Sequence, residues 1–104
     1  MRYDILSGET IIGFTEFESG DPPMGVVTGE FFPSESYASN YDYEGLRALV
    51  SGTSELIAFE SIVIEDYSEE FGEEVVEITA LVVSAEEYEK HFNHHYEAYR
   101  KQFE

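Results

Sequence analysis

Alternation of apolar and polar residues dominates the first third of the chain and predicts β-strands. Tyr3 and Ile5 fall on one side of the first run, and Ile12 and Phe14 fall on one side of the second. Gly8 lies between these runs, and a short connection that contains glycine predicts a β-hairpin. A third run, rich in valine and phenylalanine, follows a loop that contains two prolines. The three predicted strands cover residues 2–7, 10–17 and 25–32.

The middle of the chain changes to a spacing that is typical of a helix. Leu46, Leu49 and Val50 lie three and four positions apart, which places them on one helical face. Gly52 follows them and suits the position just beyond a helix end. These features predict a helix over residues 34–52.

Two further strands are predicted in the second half of the chain. Apolar residues alternate from Leu56 to Ile64, and residues 75–83 form a run rich in β-branched side chains. Because a short polar turn separates the two strands, we expect them to pair in antiparallel fashion.

The last segment predicts a helix that runs to about Phe103. Ser84 and Glu87 form a capping box, in which each side chain bonds to the backbone amide of the other residue. Aromatic residues then recur along one helical face. They are Tyr88, Phe92, Tyr96, Tyr99 and Phe103.

The order of elements is therefore β-β-β-α-β-β-α. This order predicts one α+β domain over residues 1–104, with a largely antiparallel sheet of about five strands and two helices on one face. No apolar run is long enough to cross a membrane, and the N-terminal segment lacks the apolar stretch of a secretion signal. We expect a cytoplasmic protein.

Acidic residues outnumber basic ones so strongly that charge limits the partners. The chain carries 23 Asp and Glu residues against five Lys and Arg residues, a formal net charge of −18. DNA, RNA and anionic membranes are disfavoured as ligands, because each needs a positive surface. A basic protein is favoured, because opposite charge speeds association.

Residues 65–77, which we call the acidic turn, contain seven carboxylates and no base. An unpaired buried charge is costly, so these side chains must face water or a partner. A solvated turn is the simpler interpretation. The alternative is a docking surface for a basic protein, with Tyr67 and Phe71 as aromatic contacts. The predicted partner-binding residues are Glu65, Asp66, Tyr67, Glu69, Glu70, Phe71, Glu73 and Glu74.

A second acidic patch lies earlier in the chain and competes with the acidic turn as the binding surface. It combines acidic residues with two tyrosines, and sequence reasoning leaves the choice between the two patches open. Its members are Glu35, Asp42 and Glu44, beside Tyr41 and Tyr43.

Residues that could support catalysis or metal binding are few. Cysteine is absent, which removes thiolate catalysis and disulfides. His91 and His95 lie four positions apart near Glu87, so they form a candidate divalent-metal site, but the protease pattern His-Glu-x-x-His is missing. Phosphate loops, dinucleotide fingerprints and nucleophile elbows are also missing. We therefore predict no enzyme, no catalytic residue, no metal and no cofactor.

A short, cysteine-free, strongly acidic α+β chain with eight tyrosines resembles the bacterial immunity proteins of polymorphic toxin and contact-dependent growth inhibition systems. The resemblance is one of size, charge and composition over the whole chain. It implies a protein that binds a basic toxin, often a nuclease, and covers its active site. Separately, the segments Tyr3-Asp-Ile-Leu and Gly20-Asp-Pro-Pro-Met-Gly resemble the opening of an uncharacterised family of small bacterial proteins.

Three alternatives stay open at this point. The chain could be a DNA mimic that regulates a nucleic-acid-binding protein, which would use the same charge on another target. It could be a small metal-dependent enzyme, or a structural subunit whose aromatic surfaces form a homodimer.

Overall fold

The computed structural model describes residues 1–37 and 45–103, and it consists of short strands, one long helix and one single-turn helix. Pro22–Met24 forms a 3₁₀ turn. The strands and helices are β1 (Tyr3–Ser7), β2 (Thr10–Thr15), β3 (Ser19–Asp21), β4 (Val26–Glu30), β5 (Phe32–Pro33), β6 (Arg47–Val50), β7 (Leu56–Ile57), β8 (Phe59–Asp66), α1 (Ser68–Phe71), β9 (Val76–Val82) and α2 (Ala85–Lys101).

The strands form two antiparallel sheets, which confirms the α+β class. The order of the five-stranded sheet is β5-β2-β1-β6-β7, and the order of the four-stranded sheet is β3-β4-β9-β8. The predicted hairpin is confirmed by β1 and β2, and Gly8 has a positive φ of 64° in its turn. The predicted antiparallel pair of long strands is confirmed by β8 and β9, but its first two residues, Leu56–Ile57, form the separate strand β7 of the five-stranded sheet. The prediction of a single sheet with two helices on one face is corrected, because the strands form two separate sheets.

The predicted helix over residues 34–52 is wrong where the structure describes it. Residues 47–50 form β6, which pairs with β1 so that Ala48 lies opposite Ile5 in the core. Three apolar residues are too few to distinguish the period of a helix from that of a strand. Pairing with a buried neighbouring strand then outweighs the local helical spacing. Residues 38–44 of the predicted helix lie outside the described residues.

One core joins the two sheets and α2. Its centre is aromatic: the ring of Phe92 lies 5.6 Å from that of Tyr3 and 5.8 Å from that of Phe17. The serine half of the predicted capping box is confirmed, since the Ser84 hydroxyl accepts a hydrogen bond from the Glu87 amide at 3.1 Å. The Glu87 carboxylate does not return the bond but accepts from the Ala58 amide at 3.3 Å. The helix is interrupted at Phe92, whose φ is −129°. Beyond it, Tyr96 and Tyr99 are partly buried and Phe103 is 72% exposed.

The chain turns sharply at Phe17 before it enters β3. Phe17 is fully buried with a φ of +43°, an unfavourable conformation for a side chain of this size. Its amide donates to the Thr15 hydroxyl at 3.2 Å, and its carbonyl accepts from His95 Nε2 at 2.6 Å. The two buried polar side chains of the core therefore hold this turn in place. α2 approaches β3 so closely here that a Cβ on Gly20 would lie 2.4 Å from the Tyr88 hydroxyl.

Candidate acidic binding surface

The acidic turn consists of the end of β8, the single-turn helix α1 and the start of β9. Asp66 begins the turn, because its Oδ1 accepts a hydrogen bond from the Ser68 amide at 3.0 Å. Gly72 ends α1 at a φ of 70°, and the Ser68 hydroxyl then accepts from the Val75 amide at 3.0 Å. Side chains and glycine thus fix a tight connection between two paired strands.

The carboxylates of this turn face outward, as the sequence predicts. Asp66 is partly buried and the other six are exposed. No lysine or arginine occurs between residues 59 and 82, so no base lies next to them along the chain. The exposed carboxylates are Glu65, Glu69, Glu70, Glu73, Glu74 and Glu77.

Tyr67 and Phe71 interleave with these carboxylates, and their ring centroids lie 6.4 Å apart. Phe71 is 64% exposed, so it offers apolar area to a partner within the charged turn. The Tyr67 hydroxyl donates to Glu65 Oε2 at 2.6 Å. This hydrogen bond, followed by desolvation and the negative charges of Glu65, Glu77 and Glu70, raises the pKa of Tyr67.

Asp66 connects the acidic turn to Tyr37, which follows Glu35 of the second predicted patch by two residues. The Tyr37 hydroxyl donates to Asp66 Oδ2 at 3.2 Å. Hydrogen bonds from the side chain and backbone of Ser68, together with that from Tyr37, lower the pKa of Asp66. The carboxylate is therefore stabilised in its charged form by neutral donors.

A surface pocket of about 570 Å³ opens between these two segments. Its lining includes Glu35 from the second patch and Asp66 and Glu74 from the acidic turn. Pro33 and Val76 contribute apolar atoms to the lining of the pocket. Glu35, the member of the second patch that the structure describes, thus lines the same pocket as two residues of the acidic turn. The other members of the second patch, Tyr41, Asp42, Tyr43 and Glu44, lie outside the described residues.

Sequence reasoning misses a row of three glutamates that extends this surface onto the four-stranded sheet. Glu30 lies opposite Glu77 on neighbouring strands, and Glu77 lies opposite Glu65. We call these residues the glutamate row. The sequence predicts that Glu65 and Glu77 are close, because both lie on one hairpin. It does not predict the position of Glu30, because β4 and its partner β9 are far apart in the chain.

The described basic side chains lie on other parts of the molecule. Arg2 stacks over the Phe14 ring at 3.5 Å, and an Arg47 Nη donates to the Gly8 carbonyl at 2.6 Å, both on the five-stranded sheet. Lys90, Arg100 and Lys101 lie on α2. The sheet that carries the glutamate row therefore has no lysine or arginine on any of its strands.

The candidate metal residues on α2 have separate partners. His91 Nε2 lies 3.1 Å from Glu87 Oε1 and 4.0 Å from Glu55 Oε1. His95 points into the core and bonds to the Phe17 carbonyl. Within residues 1–37 and 45–103, no group of three or more His, Cys, Asp or Glu side chains is placed to hold a metal ion. His91 and His95 are thus engaged by different elements of the fold.

The arrangement is suited to electrostatic binding of a cation-rich surface. It offers exposed carboxylates, an exposed phenylalanine and a rigid strand support. Comparison with protein-family models, curated proteins and solved structures finds no match for this chain. None of the helices in the described ranges has the length and apolar character that crossing a membrane requires.

Proposed function

We propose that this chain is a non-enzymatic binding protein that inhibits a basic partner, and specifically an immunity protein that neutralises a nuclease toxin by covering its active site. The observation that carries the proposal is the joining of the acidic turn, Glu35 and the glutamate row into one negative surface. Such a surface substitutes for the phosphate backbone in the groove of a nuclease. The proposed location is the cytoplasm.

Electrostatic repulsion in the free protein and electrostatic attraction to a basic partner both support this proposal. Like charges on neighbouring strands destabilise the free protein, and a cationic partner relieves that repulsion. The same charges accelerate encounter with a basic protein by about ten- to a thousandfold at low salt. Phe71 supplies an apolar contact within the charged surface, and aromatic residues are enriched among the contacts that dominate binding energy.

The experiment starts with the immobilised protein and an extract of the cell that produces it. A recovered basic protein is purified and assayed for nuclease activity with and without stoichiometric amounts of this chain. We expect inhibition that reaches completion at a fixed molar ratio. Failure of the recovered protein to cut nucleic acid, or cutting that continues at saturating inhibitor, contradicts the proposal.

A charge reversal then tests the surface. The double variant Glu69→Lys/Glu70→Lys should slow association by about tenfold, because both side chains are exposed in the acidic turn. The matched control is Glu89→Lys/Glu97→Lys, which makes the same change of charge on exposed positions of α2. Equal slowing by both variants would show that net charge, and not this surface, controls binding.

The DNA-mimic function is the second candidate, and the even placement of the glutamate row on three adjacent strands favours it. A DNA mimic competes with DNA for a binding protein that has no nuclease activity. Capture of such a protein, with displacement by duplex DNA, supports the second candidate over the first.

A further inference from the structure

The outer side of the four-stranded sheet carries solvent-exposed residues: Glu30, Val63, Glu65 and Glu77 are exposed, and Thr28 and Thr79 are partly buried. Val27, Ile78 and Ala80 point inward and are almost completely buried in the core. Because side chains along a strand alternate between the two faces of the sheet, the residues adjacent to these in sequence point to the outer side. These outer residues include the glutamate row and a second row in which Thr28 and Val63 flank Thr79 on the adjacent strands.

The glutamate row has a spacing that matches a helix. Side chains directly opposite each other on antiparallel strands have Cβ atoms about 4.5–5.5 Å apart. Residues three or four positions apart on a helix have Cβ atoms about 5–6 Å apart. Lysines or arginines at positions i, i+4 and i+7 of a helix laid across the strands therefore lie opposite Glu30, Glu77 and Glu65 in turn.

The second row is uncharged and suits the apolar flank of the same helix. The hydroxyls of Thr28 and Thr79 lie 3.4 Å apart, and Val63 is 51% exposed. The two rows are separated by two residues along each strand, which is about 6.6 Å. A helix with side chains is about 10–12 Å wide and covers both rows.

The carboxylates of the glutamate row have only neutral donors among the described residues. Tyr67 donates to Glu65, and the Thr28 hydroxyl lies 3.5 Å from Glu77 Oε1. No ion pair among the described residues neutralises the negative charge of the row. The row is therefore complementary in charge to a cationic helix.

We propose that this open face binds a cationic amphipathic helix of the partner, with its basic residues over the glutamate row and its apolar flank on Thr28, Thr79 and Val63. The inference rests on the proposed function for its assumption of a basic protein partner. It adds the location of the contact and the secondary structure of the partner segment.

The test uses two synthetic helical peptides with the same content of lysine, leucine and alanine. The first carries lysines at i, i+4 and i+7 with leucines along one flank, and the second has its lysines scattered around the helix. Binding to the full chain is measured by fluorescence anisotropy and by amide chemical shifts. Each exposed ion pair contributes about two- to fivefold, so we expect the striped peptide to bind about tenfold tighter or more.

Neutral variants locate the contact without unfolding the protein, because glutamine keeps the size of glutamate. Glu30→Gln/Glu65→Gln/Glu77→Gln should reduce binding of the striped peptide to that of the scattered peptide. The control, Glu86→Gln/Glu89→Gln/Glu97→Gln, removes the same charge from exposed positions of α2 and should reduce it less than threefold. Amide shifts should centre on Thr28, Val63 and Thr79.

Three results overturn the inference: equal binding of both peptides, equal losses in both triple variants, or shifts confined to residues 68–74. Each is distinguishable from failure of the proposed function. If the chain inhibits a nuclease but does not discriminate the peptides, only the helix-binding face is wrong. If it discriminates the peptides but inhibits no nuclease, only the nuclease function is wrong.

Discussion

His95 Nε2 donates a hydrogen bond to the carbonyl oxygen of Phe17 at 2.6 Å and so ties α2 to the turn that precedes β3. The bond lies in the core, where His95 is 8% exposed and Phe17 is fully buried. Because Phe17 has a positive φ, its backbone needs support from neighbouring groups to keep this conformation. The histidine therefore has a structural role in this fold.

Replacement of His95 by alanine should lower the free energy of unfolding by about 2–3 kcal/mol, because the Phe17 carbonyl loses its partner in a buried site. Chemical denaturation measures the change. His94→Ala is the control, since His94 is exposed and its loss should matter by less than about 0.5 kcal/mol. Similar losses for the two variants would contradict the structural role.

Two Tyr→Phe substitutions should have opposite effects on stability. Among the described residues, no group bonds to the buried Tyr3 hydroxyl, so Tyr3→Phe should stabilise the protein by about 1 kcal/mol. The Tyr88 hydroxyl donates to the Val26 carbonyl at 3.0 Å, and Tyr88→Phe should cost about 1 kcal/mol. Thermal unfolding of both variants checks the signs, and a loss of stability in Tyr3→Phe would contradict the first.

The stability of the acidic turn should depend on pH through Asp66. Its pKa is lower in the folded state than the ordinary value of 3.8, mainly because Ser68 donates to it. The stabilisation is therefore complete above about pH 4 and is lost as pH falls through the lowered folded pKa.

Asp66→Asn keeps the acceptor for the Ser68 amide and removes the charge. The wild type should exceed this variant in stability at pH 7, and the gap should close as the pH falls below 3.8. Urea denaturation over that interval measures the gap. A gap that stays constant with pH would show that the charge of Asp66 does not contribute.

Neutralisation of Glu65 should lower the pKa of Tyr67. Glu65 accepts the hydrogen bond from the phenol, which is the largest cause of the raised pKa, and adds negative charge beside it, so both effects weaken in Glu65→Gln. Titration of ring-labelled tyrosine by NMR follows each phenol, and Tyr67→Phe assigns the signal. Glu73→Gln, on an exposed residue that is not among the causes of the shift, should leave the pKa nearly unchanged.

The glutamate row should make stability depend on salt. Glu77 has a like charge opposite it on each side, so Glu77→Gln should stabilise the protein by about 0.5–1 kcal/mol at low salt. The melting temperature of the wild type should rise between about 10 and 150 mM salt as screening increases. A wild-type melting temperature that does not change over this interval would contradict repulsion as a significant contribution.

Local signals in the sequence predict the turns and caps that are formed by residues close together in the chain. Gly8 marks the first hairpin, Ser84 begins α2, and the polar residues after Asp66 mark the connection between β8 and β9. Each of these features depends on residues within about ten positions of each other. The exposed carboxylates of the acidic turn are predicted for a similar reason, since burial of unpaired charges is excluded in any fold.

Features that depend on distant pairing are not predicted. Leu49 and Val50 have helical spacing, yet they lie in β6 because β1 provides a paired and buried neighbour. The glutamate row needs the register of β4 on β9, and the bond between His95 and Phe17 joins opposite ends of the chain. In each case the deciding contact lies far away in sequence, where periodicity carries no information.

The separation of charges between the sheets has one more consequence. No lysine or arginine stands on the strands that carry the glutamate row, so the negative charge of that face is locally uncompensated. Its electric field reaches about a Debye length into the solvent, roughly 10 Å at 0.1 M salt. A positively charged group that approaches this face is therefore attracted and guided while water still separates the two surfaces.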